Sequence, residues 1–479
     1  MTLSYDELKR VVPMIVAVIG PTNEGKTSVL RTLSGDADFG EVNAFTGTTV
    51  RAEIQKFFYK GIEILQLVDT PGFQMSSDIL EVLQSQSNMA KTTGVQAILD
   101  QVPEHDDDFR HDRRAWREIK RCDLTILVVN VMESPQQSLA RDSLQLLARA
   151  GKPLLVIFNG VPENNSTVVT QNDFTGLWRQ CLHTNGFDNI QIYDAHNRNF
   201  RHEIDLFKKI IAAARNSFTR RALEQELDER IERENHRFDE SKRILAKLLL
   251  DVAVMEESRG NIPDDKKEEN QIKLAQNLLT RICQREHDAH LELLRVWEFH
   301  PGILRRRALN AETVAKRTND LLGEKSLEDI KTGGAIGAGV GASIGLTLDI
   351  ALAGLSLGTG TLIGALIGGA IGGGSQGVYR MSYDKGEKRI TVKVQVDTLL
   401  ALLSRGIDLT KKLQCRGKAM DDTSELFLAL DSKNTDAPEI AALFAPAHIP
   451  SVKEYWKRGL RWVKEGKFAE ETVTLEHLV

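Results

Sequence analysis

Over residues 1–215, short apolar runs alternate with amphipathic stretches of helical length. The runs lie at 14–19, 62–68, 124–129, 154–158 and 190–193. Runs of this kind fit strands buried on both faces, as in a parallel sheet covered by helices on either side. Residues 50–58 predict one further strand, and 75–121 a long insertion. The insertion carries a charged run at 104–114 that reads as a solvated loop rather than a metal site. After residue 216 the period changes. Leu223, Leu227, Ile231, Phe238, Leu245, Leu248, Val252 and Met255 follow steps of three, four and seven, which puts them on one helical stripe. Ile262-Pro263-Asp264-Asp265 interrupts the pattern, and a second helical stretch covers 268–299 before His300-Pro301-Gly302. A helical bundle is the plain reading, with a lever or oligomerising coiled coil as the alternative. Beyond residue 378, Ile390, Val392, Val394 and Val396 alternate as in a strand, and 399–413 is amphipathic with helical spacing.

Residues 332–377 stand apart. They hold 16 of the 36 glycines, and Asp349 is their one ionisable side chain. Gly333, Gly337, Gly341 and Gly345 recur every fourth position, as do Gly360, Gly364, Gly368 and Gly372. On helices each set makes a smooth ridge that allows close approach. In water each glycine costs a helix about 1 kcal/mol against alanine, so close packing or a bilayer must compensate. The stretches 332–348 and 350–373 each reach across or well into a hydrocarbon core of about 30 Å. They predict a hairpin that engages membrane lipid, with a buried soluble pair of helices as the alternative. Lys325 and Lys331 before it, and Arg380, Lys385, Lys388 and Arg389 after it, fit cytoplasmic retention of both ends.

Composition narrows the classes. The chain has 479 residues, 41% of them hydrophobic and 27% charged, which is ordinary globular chemistry. A net charge of −5 argues against a general nucleic-acid partner. Cys122, Cys181, Cys283 and Cys415 are too scattered for a metal knuckle and too few for a disulfide scaffold, so a reducing compartment is expected. The N-terminal residues do not read as a signal peptide. His287 and His290 stand three apart beside Glu286 and Asp288, an exposed charged helix surface rather than a metal face. Trp456 and Trp462, among basic residues, read as ordinary packing, with a membrane-interface position as the alternative.

The strongest chemical signal is Gly20-Pro-Thr-Asn-Glu-Gly25-Lys26-Thr27, which matches GxxxxGK[ST] between an apolar strand and a helix. Glycines let backbone N–H groups turn inward around phosphates, and the helix N-terminus adds positive potential. Lys26 neutralises the β- and γ-phosphates, and the Thr27 hydroxyl ligates Mg²⁺. Asn23, Glu24, Gly25, Lys26, Thr27 and Ser28 are thus expected to bind nucleotide. Asp69-Thr70-Pro71-Gly72 follows the strand 62–68. Asp69 can hold Mg²⁺ through water, and the Gly72 N–H can touch the γ-phosphate. Between the motifs lies Phe45-Thr-Gly-Thr48-Thr49-Val50, where a threonine can complete the Mg²⁺ shell only when a γ-phosphate is present. Thr49 is preferred over Thr48.

The phosphate loop, TGTT and DTPG in this order resemble the Era-like and dynamin-like branch of the translation-factor-class GTPases over roughly residues 12–200. The tract 147–159 is similar to a bacterial group in which a GTPase domain precedes a glycine-rich domain of unknown function. The resemblance implies an Mg²⁺-dependent GTP hydrolase with a conformational switch, in which Lys26, Thr49, Gly72 and Asn23 are the catalytic candidates and Thr27, Thr49 and Asp69 the metal set. Asn23 matches the phosphate-loop Asn of potassium-activated members, so it is a candidate K⁺ ligand, with simple loop shaping as the alternative. Phe73 stands where Ras-like members carry a water-orienting Gln, which implies slow intrinsic turnover. The base-reading NKxD motif is altered to Asn159-Gly160-Val161-Pro162. Asn159 remains, the guanine-reading Asp is lost, and Glu163 is a substitute if the loop shifts. Asp194-Ala195-His196 resembles the last family motif, in which a backbone N–H, here of Ala195, meets guanine O6. GTP is the implied nucleotide, with ATP as the alternative.

The expected architecture is an α/β P-loop GTPase domain with a mostly parallel sheet over 1–215 and a helical bundle or stalk over 216–330. A glycine-zipper hairpin over 331–377 and a small α+β part over 378–479 follow. The expected function is a GTP-binding and hydrolysing switch that couples nucleotide state to membrane association or assembly. It would work in the cytoplasm, at the cytoplasmic face of the inner membrane, with self-association. A non-catalytic nucleotide-gated scaffold and an Era-like ribosome-assembly GTPase are the rivals.

Overall fold

The computed structural model describes residues 3–36, 39, 53–85, 94–136, 139–160, 174–301, 379–394 and 396–418. The glycine segment, all three threonines of the TGTT loop, Glu163, Trp456 and Trp462 lie outside these residues. The chain forms two compact units. The first comprises residues 1–233 and 414–421, the second 234–413 and 422–479.

In the first unit a short helix α1 (Tyr5–Leu8), with a Ser4–Glu7 capping box, leads to β1 (Met14–Ile19) and α2 (Lys26–Ser34). Next come β2 (Glu53–Tyr59), β3 (Ile62–Asp69), α3 (Ser76–Ser85), α4 (Val95–Leu99), α5 (Arg110–Arg121) and β4 (Leu124–Asn130). The unit continues with α6 (Leu139–Ala150), β5 (Leu154–Asn159), α7 (Thr175–Thr184), β6 (Ile190–Ile192) and α8 (Phe200–Ala213). The six strands are ordered β2-β3-β1-β4-β5-β6, with β2 antiparallel to β3 and every other pair parallel. The predicted alternation of strands and helices therefore gives a mostly parallel sheet, and the extra strand becomes its antiparallel edge.

Period-two burial on both faces explains why the central runs are almost wholly apolar, with buried Thr125 the polar position within 124–129. In β1, Met14, Val16 and Val18 join one core, while Ala17 and Ile19 join the core on the opposite face. β4 divides the same way, with Leu124, Ile126 and Val128 on one side and Leu127 and Val129 on the other.

The helix α9 (Ser217–Ala253) bears the predicted stripe from Leu223 to Val252, and Met255, its last expected member, lies beyond the helix end just before β7. Leu223 and Leu227 are buried in the first unit, and Leu245, Leu248 and Val252 in the second. The second unit adds β7 (Glu256–Arg259), a 3₁₀ turn at Asp264–Lys266 and α10 (Lys267–Val296). Beyond the glycine segment it adds β8 (Tyr379–Asp384), β9 (Arg389–Val394) and α11 (Val396–Cys415). An antiparallel sheet β7-β9-β8 packs with these helices around Leu278, Ile282, Ile390, Val392, Leu402 and Leu409.

Three expectations need correction. β7 is a strand inside what reads as a helical region: Glu-Glu-Ser-Arg offers no apolar alternation, and the strand forms by backbone pairing with β9 and a Glu256–Lys393 ion pair across it (2.9 Å). The charged run at 104–114 is solvated only as far as residue 108. α5 starts at Arg110, and Asp112 is fully buried beneath it. The Glu286–His290 face is not an exposed charged surface. Both side chains are buried with Arg405 of α11, whose Nε lies 3.1 Å from Glu286 Oε1. Desolvation and then the Arg405 charge push His290 down to about 3, so its imidazole is neutral. No group of three metal-ligating side chains forms among the described residues.

Candidate nucleotide site

β1 ends at Ile19, residues 20–25 loop, and α2 begins at Lys26. Gly25 sits at the helix N-terminus with φ 88°, and a Cβ there would stand 2.4 Å from Asn159 Nδ2. Only glycine meets both demands. Asn23 also takes a left-handed conformation, φ 71°, and is exposed. Lys26 is buried and donates to Pro21 O (2.7 Å) and Gly20 O (3.2 Å), which holds the ammonium at the mouth of the loop. Burial lowers its pKa, while the charges of Asp69 and Glu24 raise it.

β3 pairs in register beside β1 and carries Asp69 to the loop, with Val18 opposite Asp69. The Thr27 hydroxyl donates to Asp69 Oδ2 at 2.6 Å. Burial pushes the Asp69 carboxyl up to about 6, against the Thr27 hydrogen bond and the Lys26 charge. Its other oxygen, Oδ1, is buried without a hydrogen-bond partner. A hydroxyl, a carboxylate and a spare buried oxygen form a hard donor set that suits Mg²⁺. The fit therefore holds for Thr27 and Asp69; Thr49, the third expected ligand, is outside the described residues.

The DTPG segment is stitched to the phosphate loop. The Thr70 hydroxyl donates to Val18 O (2.9 Å), and the Phe73 N–H donates to Gly20 O (3.1 Å). Gly72 lies so close to Thr22 that a Cβ would stand 2.6 Å from its Oγ1 and 2.7 Å from its backbone N. Phe73 is buried in the core with its ring centroid 5.6 Å from that of Trp116. It therefore acts as an anchor and offers nothing to a water molecule at the site. Asp112 of α5 was absent from the sequence-based candidates. Its Oδ2 accepts from the Gln74 and Met75 N–H groups, both at 3.1 Å, and so holds the segment directly after Gly72-Phe73. Burial pushes this carboxyl up to about 6 as well. Its only trace in the sequence is one acidic residue in a charged run.

At the other end of the site, Asn159 at the tip of β5 links two loops. Its Nδ2 donates to Glu24 O (3.0 Å), and its Oδ1 accepts from the Ala195 N–H (3.1 Å). The Ala195 amide expected to face guanine O6 thus pairs with Asn159 here. The Glu24 carboxylate turns inward and accepts from the Asn130 N–H. Ser28 is in the first turn of α2, half-buried. Lys26, Thr27, Asp69, Gly72, Asn159 and Ala195 are brought together around one loop.

Two family models match. Residues 15–160 match the 50S ribosome-binding GTPase, and residues 179–457 match a domain of unknown function, DUF3482. The second match covers more than half of the chain. The chain belongs to the DUF3482 family. Its N-terminal part is a P-loop GTPase domain with MnmE-type relatives. The tRNA modification GTPase MnmE of Bordetella parapertussis is 30% identical over 146 residues, which is 30% of this chain and 26% of that protein. MnmE of Desulfitobacterium hafniense is 27% identical over 146 residues, covering 30% of this chain and 25% of its own. The chain thus spans about a quarter of these relatives' length. Among solved structures, Aquifex aeolicus Era bound to GDP·AlF₄⁻ is similar at 14% identity with a TM-score of 0.28, covering 59% of this chain and 88% of that one.

Proposed function

We propose that this DUF3482 protein binds GTP with Mg²⁺, hydrolyses it slowly and passes its nucleotide state to the DUF3482 region. The meeting of the Thr27 hydroxyl and the Asp69 carboxylate at 2.6 Å, beside the Lys26 ammonium, carries this reading. Loop N–H groups and Lys26 would cradle the β- and γ-phosphates, and the Gly72 N–H would face the γ-phosphate. Bound Mg²⁺, held by Thr27 and Asp69 with Thr49 joining in the triphosphate state, would supply charge neutralisation between those phosphates. Asn23, exposed and left-handed at the loop's rim, is the proposed K⁺ ligand. Guanine is proposed as the base from the family match and the retained Asn159, with adenine as the rival because Pro162 replaces the carboxylate.

Burial of Phe73 favours one second reading, a nucleotide-gated scaffold that binds without turnover. The glycine ridges of 332–377 support a membrane-engaging hairpin with self-association at the cytoplasmic face of the inner membrane. No helix among the described residues is long and apolar enough to cross a membrane, so this part rests on the glycine spacing. The test is multiple-turnover phosphate release from GTP and from ATP by the full chain, with Na⁺ or K⁺ and with or without vesicles. Slow turnover of GTP that K⁺ accelerates is expected. Binding without release of phosphate selects the scaffold, and turnover of ATP alone overturns the guanine reading.

A further inference from the structure

The end of α11 returns to the first unit and lands on the loop after β6. Cys415 O accepts from the Arg198 N–H at 2.7 Å, and the Gly417 N–H donates to His196 O at 3.1 Å. Asn197 and Arg416 form an antiparallel bridge between these bonds. Gly417 approaches so closely that a Cβ would stand 1.9 Å from Ala195 O and 2.9 Å from Thr32 Oγ1. The Thr32 hydroxyl of α2 donates to that same Ala195 oxygen at 2.7 Å. The loop is otherwise held by Asp194 Oδ1, which accepts from the His196 and Asn197 N–H groups. A line of hydrogen bonds therefore runs from residues 415–417 through loop 194–198 and Asn159 to Glu24 of the phosphate loop.

We propose that residues 415–417 are a strap that positions the base-contacting loop 194–198, so that the DUF3482 region itself completes the nucleotide site. The proposal rests on the nucleotide-binding reading above and adds a device to it. Loop 194–198 carries the Ala195 amide, which the nucleotide reading assigns to the base and which Asn159 Oδ1 holds here, and the strap supplies an external backbone pairing to this loop. Gly417 is a positioning residue, because any side chain there must displace either the strap or the Ala195 carbonyl. The strap is covalently continuous with α11, so ordering of the loop by a nucleotide and docking of the strap favour each other. Such coupling is reciprocal: what strap docking adds to nucleotide affinity, the nucleotide adds to strap docking.

The test compares Gly417→Val with wild type, both as full chains, using GDP and inorganic pyrophosphate as separate probes. A released strap weakens GDP by about tenfold, within the usual range for coupled sites, and changes pyrophosphate affinity by less than about twofold. A merely structural defect lowers both together and overturns the proposal. Unchanged GDP affinity, with the strap amides shown to be exposed by hydrogen exchange, also overturns it. A second measurement needs no variant. GDP added to wild type slows exchange at the Arg198 and Gly417 amides, and unaltered exchange at saturating GDP refutes the strap. If wild type binds neither GDP nor pyrophosphate, the nucleotide reading itself has failed, a result distinct from the loss of coupling alone.

Discussion

The residues that act on phosphate are short-range features, and they are the part of the site most legible in sequence. Lys26 follows a glycine required by both backbone conformation and space, and its ammonium is held by Pro21 O and Gly20 O. Hydrogen bonds to charged groups contribute about 1.5–3 kcal/mol each, so Lys26→Ala is expected to weaken GDP binding about a hundredfold or more. Titration with a fluorescent GDP analogue measures this, and unaltered affinity contradicts the assigned role. Asp112 is the opposite case, a residue whose role emerges only when α5 folds beneath the DTPG segment. Its carboxyl is raised from the ordinary 3.8 to about 6 by burial. The folded form therefore keeps its proton where the unfolded chain has lost it. Stability from this group is fully present below pH 3.8 and is lost as pH rises to about 6. At about 1.4 kcal/mol per unit, the cost by neutral pH is at most about 3 kcal/mol. Asp112→Asn keeps an oxygen for the Gln74 and Met75 N–H groups and cannot ionise. Its urea midpoint should match wild type near pH 4 and pull ahead by pH 7; parallel curves across that range would refute the assignment.

At the scale of elements, period was informative wherever burial was one-sided or complete. The stripe from Leu223 to Val252 predicted α9, and the apolar runs predicted the five parallel strands. β7 escaped notice because an edge strand of Glu-Glu-Ser-Arg buries almost nothing and exists through pairing with β9. The buried Glu286–His290–Arg405 cluster escaped for a related reason, since its third member arrives from α11, more than a hundred residues later. Gly406 shows how such helices approach. It lies inside α11, and a Cβ there would stand 2.2 Å from Leu245 Cδ2 of α9, which is buried. A glycine inside a helix costs about 1 kcal/mol in propensity, which close packing here offsets. Gly406→Val is expected to destabilise the second unit by about 1–3 kcal/mol through overpacking, read as earlier loss of protection of α10 amides in hydrogen exchange. Equal protection would show that Leu245 moves aside freely.

At the scale of the whole molecule, a GTPase domain with MnmE-type relatives is joined to a family region that takes up more than half of the chain. The chain leaves the first unit within α9 and re-enters it at Gln414, and the glycine segment lies in the sequence between these crossings. No described residue of the nucleotide site lies in the segment: all precede it or, in the strap, follow it in the sequence. Deleting residues 332–377 is therefore expected to leave GDP affinity within about twofold of wild type, since no described residue of the phosphate site is removed. The same deletion should abolish flotation with anionic lipid vesicles if the glycine ridges seat in a bilayer, whose apolar surroundings relieve what water imposes on such helices. Running the flotation on empty, GDP-loaded and GTP-loaded protein separates a switch from a fixed anchor. Lipid binding that changes with nucleotide and vanishes on deletion supports the switch. If the deletion instead costs the protein its cooperative unfolding transition, the segment is protein core, and the glycines serve helix contacts like that of Gly406 with Leu245.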